Sequence, residues 1–268
     1  MEMFPVRSPE IPCQKFEKMI TLYTALSLWE LPSISPACME LETWFRMAKL
    51  PYNTVIVTAD NLKLAPKGKV PFIDYQGKLV SDATLIIEML KQKQAIDLDG
   101  GLTDVERAIS LAFRRTIKEN TFWGIPYIRY NIQENWQHFR AVLAHTLFPE
   151  TPIESSQLFA EEFRKTVLSQ MHGHGMGRHS SEEIIQIICT DFQALCDFLA
   201  DKPFFMGEQP TTLDATTYAY IGNFIKPPYG SPIVDYVLQR ANLCQHYERM
   251  TKQFFSERFL NQSIPVHS

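Results

Sequence analysis

The feature that most constrains this chain is a change of pattern near residue 100. Short runs rich in β-branched and aromatic residues lie between residues 20 and about 80, whereas apolar residues beyond Thr103 recur at helical spacing almost to the end. A mixed stretch followed by helix-only segments predicts an α/β unit joined to an all-helical one. The polar, glycine-bearing segment Asp97-Leu98-Asp99-Gly100-Gly101-Leu102 lies at the change. We therefore expect an α/β domain over 20–96, a linker over 97–103 and an all-helical domain over 104–268. Residues 1–19 hold three prolines and little periodicity, which reads as an N-terminal arm.

Within the first unit, the apolar strand Ile20 to Ala25 leads through a loop into Ser33-Ile34-Ser35-Pro36-Ala37-Cys38. Ser35 suits an N-cap and Pro36 the first helical position, where a missing N–H costs nothing. Ala37, Leu41, Trp44, Phe45 and Ala48 then place one apolar face on that helix. Its N-terminus, with unpaired N–H groups and the positive end of the dipole, suits an anion such as a thiolate. Tyr52 to Thr58 reads as a second strand, and Lys67-Gly68-Lys69-Val70-Pro71-Phe72-Ile73-Asp74-Tyr75 as a loop entering a third. Lys78 to Glu88 reads as a strand, a turn and a helix opening at Asp82-Ala83-Thr84. Beyond the linker we expect a long helix from Asp104 to about Trp136, helices near 137–147, 155–171 and Ser181 to Ala200, and three more. Ser180 with Glu183, and Thr211 with Asp214, have capping-box spacing.

Composition serves to exclude. A net charge of -4 and a pI near 6.0 give no reason to expect nucleic acid, and no basic run suggests an anionic membrane surface. No uncharged apolar run reaches the roughly 18 residues a membrane helix needs. Five cysteines, scattered without zinc or disulfide spacing, read as reduced thiols in the cytoplasm. His172, His174 and His179, set among Gly173, Gly175 and Gly177, have no cysteine or acid at ligand spacing beside them, so the block reads as a tight connector and no metal is expected.

The order strand, Ser-Pro-x-Cys helix, strand, Gly-Lys-Val-Pro strand, strand, helix resembles the thioredoxin-like domain of the glutathione transferase superfamily. Within it, the chain is most similar to the failed axon connections and metaxin-like group. That likeness rests on Leu31 to Pro36, on Leu41 to Ala48 followed by Leu50-Pro51-Tyr52, on Met171 to Arg178, and on Thr212 to Thr216. The resemblance implies a glutathione transferase-like fold, an α/β thioredoxin-like N-terminal domain plus an all-α C-terminal domain. It also implies glutathione as cosubstrate, a small-molecule electrophile as its partner, and a homodimer.

Carried over residue by residue, the resemblance makes Ser35 the hydroxyl that donates to the glutathione sulfur, with Ser33 as second choice; a plain N-cap is the competing reading of Ser35. Cys38 reads as a packed thiol, and with Ser35 where a first cysteine would stand no two-cysteine redox cycle operates here. Val70-Pro71 matches the superfamily's cis-proline step, although an X-Pro bond without that context is expected to be trans. Asp82, with the Ala83 N–H and the Thr84 hydroxyl, would meet the γ-glutamyl end; alternatively Asp82 only caps its helix, and Ala83 lacks the hydroxyl usual there. Trp123, Tyr127, Arg129 and Tyr130 are candidates for the second-substrate pocket, against a plain core role, and Arg178 is a candidate to face the cleft. The alternative function is a catalytically silent scaffold that binds a protein partner, as metaxins do in import.

Overall fold

The computed structural model describes residues 19–257, and the arm expected over residues 1–19 lies almost wholly outside that range. Four strands, β1 (Ile20–Thr24), β2 (Tyr52–Ile56), β3 (Phe72–Tyr75) and β4 (Lys78–Ser81), form one mixed sheet in the order β2-β1-β3-β4. β1 runs parallel to β2 and antiparallel to β3, and β3 pairs antiparallel with β4. The parallel pair needs a crossover, which α1 (Pro36–Met47) supplies; α2 (Ala83–Gln94) follows β4. This is the thioredoxin-like arrangement.

The second half is helical. α3 (Asp104–Arg115) continues as an irregular rod, and then come α4 (Gln133–Leu147), α5 (Ile153–His174), α6 (Ser181–Leu199), α7 (Thr212–Ile225), α8 (Pro232–Leu238) and α9 (Ala241–Phe254). Among the described residues the only β pairing beyond Ser81 is an isolated bridge between Phe204 and Gly207. Both capping boxes form: Glu183 carboxylate accepts from the Ser180 N–H at 2.8 Å, and Asp214 from the Thr211 N–H at 2.8 Å.

The long helix expected from Asp104 to Trp136 is interrupted. Wide turns at Thr116–Asn120 and Tyr127–Asn131 flank a tight turn at Thr121–Trp123, and Ile132, with ψ 114, breaks the rod before α4. Pro126 has no N–H to give the ladder, and Gly124 allows the close approach of Phe224: a Cβ there would lie 2.8 Å from the Phe224 ring. Such wide turns often mark functional places.

α1 is buried on more than its apolar stripe. Leu41, Trp44 and Phe45 are sealed from solvent as expected, but so are Met39, Glu40 and Thr43, because α7 covers the face turned away from the sheet. Gly222 makes that packing possible, since a Cβ would sit 2.6 Å from the Tyr247 ring and 3.2 Å from the Met39 methyl. Polar groups trapped there must be paired. Glu40 accepts from Lys118 Nζ at 2.7 Å and from the Thr216 hydroxyl at 2.7 Å, while Lys118 also donates to the Thr84 hydroxyl at 2.8 Å. Asp99, between the two halves, accepts from the Thr212 N–H at 2.9 Å and its hydroxyl at 2.8 Å, and from Lys91 at 3.0 Å.

Candidate active site

A cavity of about 390 Å³ opens between the sheet domain and the helical one. Its first wall is the β1–α1 junction with Ala25, Ile34, Ser35 and Pro36, joined by Gly68, Lys69 and Val70 of the loop before β3. The facing wall comes from the irregular rod, with Phe122, Trp123, Arg129 and Tyr130, and from α4 and α5, with Phe139, Phe163 and Gln170. Among the described residues, no Asp or Glu lines it. Its lining is mostly aliphatic and aromatic, with few polar groups, as in small-molecule sites.

Ser35 sits where its sequence places it. The backbone there is extended, φ -98 and ψ 118, and the hydroxyl oxygen accepts the Cys38 N–H at 3.4 Å. The Cys38 sulfur is the neighbour its hydrogen can reach inside the protein, and the residue lines the cavity, so the same hydroxyl can cap the helix and turn to donate into the cavity. Cys38 is sealed from solvent beside it, and burial pushes its thiol above the ordinary value, with Ser35, Ala25, Thr24 and Ser33 pulling the other way. It is a packed thiol rather than a nucleophile.

Ser33 is different. It is fully buried, donates to the Ala25 carbonyl at 3.1 Å, and accepts from the Thr24 hydroxyl at 3.3 Å and the Ser35 N–H at 3.3 Å. Those bonds occupy its hydroxyl in setting the loop, and it does not line the cavity.

The Val70–Pro71 peptide is cis. Val70 lines the cavity, and its N–H and C=O pair with no other backbone group among the described residues. The Pro71 carbonyl accepts the Asp82 N–H at 3.3 Å, which sets the start of α2 beside that step. Asp82 is exposed and caps α2 by accepting from the Leu85 N–H at 3.1 Å, at φ 81 and ψ 118. A positive φ at a residue with a Cβ costs of order 1–3 kcal/mol and tends to be kept where function needs it. Ala83 is buried, and the Thr84 oxygen is engaged by Lys118, so neither side chain faces the cavity.

Of the four rod residues, three line the cavity and one does not. Trp123 stands at the wall with its ring 4.9 Å from that of His174. Arg129 and Tyr130 also face it, whereas Tyr127 is buried away from the lining. Arg178, expected at the cleft, is exposed elsewhere: its Nε donates to the His172 carbonyl at 3.1 Å and closes the end of α5. The turn at Gly175, with φ 112, folds the chain back so that Arg178 covers that helix end.

Sequence reasoning missed two residues. Lys69, directly before Val70, reaches across the cavity mouth to Gln170 at 3.1 Å; its place beside the Val-Pro step was the available signal. Asn223 accepts from Arg129 at 2.8 Å and donates to the Ser33 carbonyl at 3.3 Å, and nothing local to α7 marks it.

Known proteins place this geometry. Residues 36–135 match the family described as Glutathione S-transferase N-terminal domain, and residues 188–250 match Glutathione S-transferase, C-terminal domain. Failed axon connections of Drosophila melanogaster is 31% identical over 94% of this chain, which spans 62% of that protein's length. The isoprene-epoxide–glutathione S-transferase of Rhodococcus sp. (strain AD45) is 32% identical over 88% of this chain and 99% of its own. Metaxin-2 of Homo sapiens is 23% identical over 89% of each chain. Among solved structures, glutathione S-transferase III in its apo form superposes with a TM-score of 0.58 over 93% of this chain and 100% of its own, at 14% identity.

Proposed function

The chain belongs to the glutathione S-transferase family, and on that premise we propose that it binds glutathione against the sheet domain and presents its thiolate to a small apolar electrophile in the interdomain cavity. The observation that carries this reading is the Ser35 hydroxyl, fixed as a helix cap at the cavity wall. A hydroxyl so placed donates to the sulfur and favours the thiolate, so the nucleophile belongs to the cosubstrate. The unpaired Val70 N–H and C=O would take the cysteinyl peptide as a short added strand. Lys69 would meet one glutathione carboxylate at the mouth, Asp82 the ammonium, and the Ala83 N–H at the start of α2 the other carboxylate. Trp123, Arg129 and Tyr130 would face the electrophile. An epoxide, the substrate class in the name of the Rhodococcus relative, is small and apolar enough for such a cavity. A cytoplasmic homodimer completes the reading.

A second reading has its own observation. The residue after Asp82 is Ala83, buried and without a hydroxyl for the γ-glutamyl carboxylate, and the chain is also similar to metaxin-2. In that reading it is a partner-binding scaffold. Calorimetric titration with glutathione separates the two: saturable heat at millimolar ligand is expected for the transferase, and none for the scaffold.

A further inference from the structure

Arg129 is a buried cation without a carboxylate. It is 5% exposed, yet no Asp or Glu pairs with it among the described residues. Its Nη1 donates to the Ile34 carbonyl at 2.6 Å, and its Nη2 to the Asn223 carbonyl at 3.3 Å and side-chain oxygen at 2.8 Å. The Phe139 ring lies 5.5 Å from the guanidinium. Carbonyl dipoles and an aromatic face solvate a guanidinium only in part, and a charge taken out of water without a counter-ion is costly. Burial pulls Arg129 down to about 10, which still leaves it charged at neutral pH.

The carbonyl it holds belongs to the residue before Ser35, and both Arg129 and Ser35 line the cavity. Asn223 holds the carbonyl of Ser33 in the same loop. The β1–α1 loop is thus gripped at two successive carbonyls, 33 and 34, by the helical domain. The titratable neighbours are Tyr130 and Tyr229, both pushed up by burial, the buried Cys38 thiol beside Ser35, and Lys69 at the mouth. At neutral pH none of them supplies negative charge.

We propose that Arg129, held by Asn223, is the second stabiliser of the anion formed at Ser35: the bound thiolate is its counter-ion, and its grip on the Ile34 carbonyl fixes the loop that presents the Ser35 hydroxyl. This deepens the transferase reading and rests on it. When the S–H of bound glutathione ionises, its proton leaves to water and the sulfur keeps the electron pair, facing one hydroxyl and one buried positive charge. An opposite charge within about 4–6 Å lowers an acid's pKa by roughly one to three units. Because the charge is buried, salt screens it little.

The test is a spectroscopic titration of the thiolate of bound glutathione in the full-length chain. Arg129→Met is expected to raise the thiol pKa by about one to two units at low and high salt alike, and Arg129→Lys, which keeps the charge, by less than half as much. If Arg129→Met does not fold, Asn223→Asp takes its place: it leaves an oxygen on Nη2, adds a carboxylate that neutralises the guanidinium, and should also raise the thiol pKa. Variants that lower thermal stability but leave the thiol pKa unchanged overturn the proposal alone, since a merely structural role predicts that pattern. A lysine variant as impaired as the methionine variant overturns the role of the charge. A wild-type chain that binds no glutathione overturns the transferase reading and this inference with it.

Discussion

Two of the buried charged contacts that join the two halves of the molecule are built in opposite ways. At one, Glu40 of α1 is sealed from solvent and saturated: Lys118 and the Thr216 hydroxyl each stand 2.7 Å from it, with Arg114 at 4.0 Å. At the other, Arg129 is buried too but has only carbonyl oxygens, a side-chain amide and a ring around it, and a cavity beside it. A closed ion cluster has nothing left to bind, so its role is to set how α1, α2, the rod and α7 meet. An ion without a counter-ion next to an open cavity keeps its field available for a ligand. The contrast separates the part of the interface that holds the fold from the part that serves chemistry.

The largest effect is expected at the closed contact. Lys118→Met leaves Glu40 buried without its nearest cation, and breaking such a pair costs about 3–5 kcal/mol. Urea unfolding should show that loss, while the thiol pKa of bound glutathione stays at the wild-type value in the fraction that remains folded. A thiol pKa that moved together with stability would erase the distinction between the two contacts.

At the open contact the effect is smaller in stability and larger in chemistry. Ser35→Ala removes a hydrogen bond to a charged acceptor, worth roughly 1.5–3 kcal/mol, so the pKa of bound glutathione should rise by about one to two units at 1.36 kcal/mol per unit. Turnover near neutral pH should fall, and be recovered as the pH is raised past the new pKa, because the lost property is the fraction of thiolate. The same change removes a helix cap, at a cost of about 1 kcal/mol. Ser35→Gly separates the two roles, since glycine caps nearly as well but has no hydroxyl. Full activity in the glycine variant would leave Ser35 as a cap only.

Local chemistry was legible in the sequence, and long-range pairing was not. Ser35 and Pro36, the Ser180–Glu183 and Thr211–Asp214 boxes and the four strands announce themselves within a few residues, because caps and periodicity act over one turn or one pleat. The Arg129–Asn223 contact spans 94 residues, Glu40–Thr216 spans 176 and Asn223–Ser33 spans 190, and no spacing rule connects them. Glu40 lies outside the apolar stripe of α1, and only the cover of α7 buries it. Arg178 was a candidate to face the cleft, but the glycine turn carries it back onto His172. The rod kept helical spacing through its wide turns, so only the structure shows that Arg129 and Tyr130 are brought to the cavity while Tyr127 is not.

The smallest effect, and the one that sharpens where the open contact ends, belongs to Asp82. Its φ of 81 is a conformation that glycine adopts freely and aspartate does not. Asp82→Gly relieves strain of order 1–3 kcal/mol, loses only a few tenths as a cap, and gives back about 0.4–1 kcal/mol through the greater freedom of the unfolded chain. At the middle of these ranges the ligand-free protein should be more stable by about 1 kcal/mol, as thermal unfolding would read. If the carboxylate meets the glutathione ammonium, the same variant should bind glutathione several-fold more weakly, consistent with a partly exposed charge pair of roughly 0.2–1 kcal/mol. Asp82→Asn, which keeps the cap oxygen and a Cβ at the same positive φ, should lose the affinity without gaining the stability. A glycine variant that gains stability at unchanged affinity would confine the site to Ser35, Val70 and Arg129; one that loses stability would show that the backbone at Asp82 is held by its cap to Leu85 rather than kept strained for a ligand.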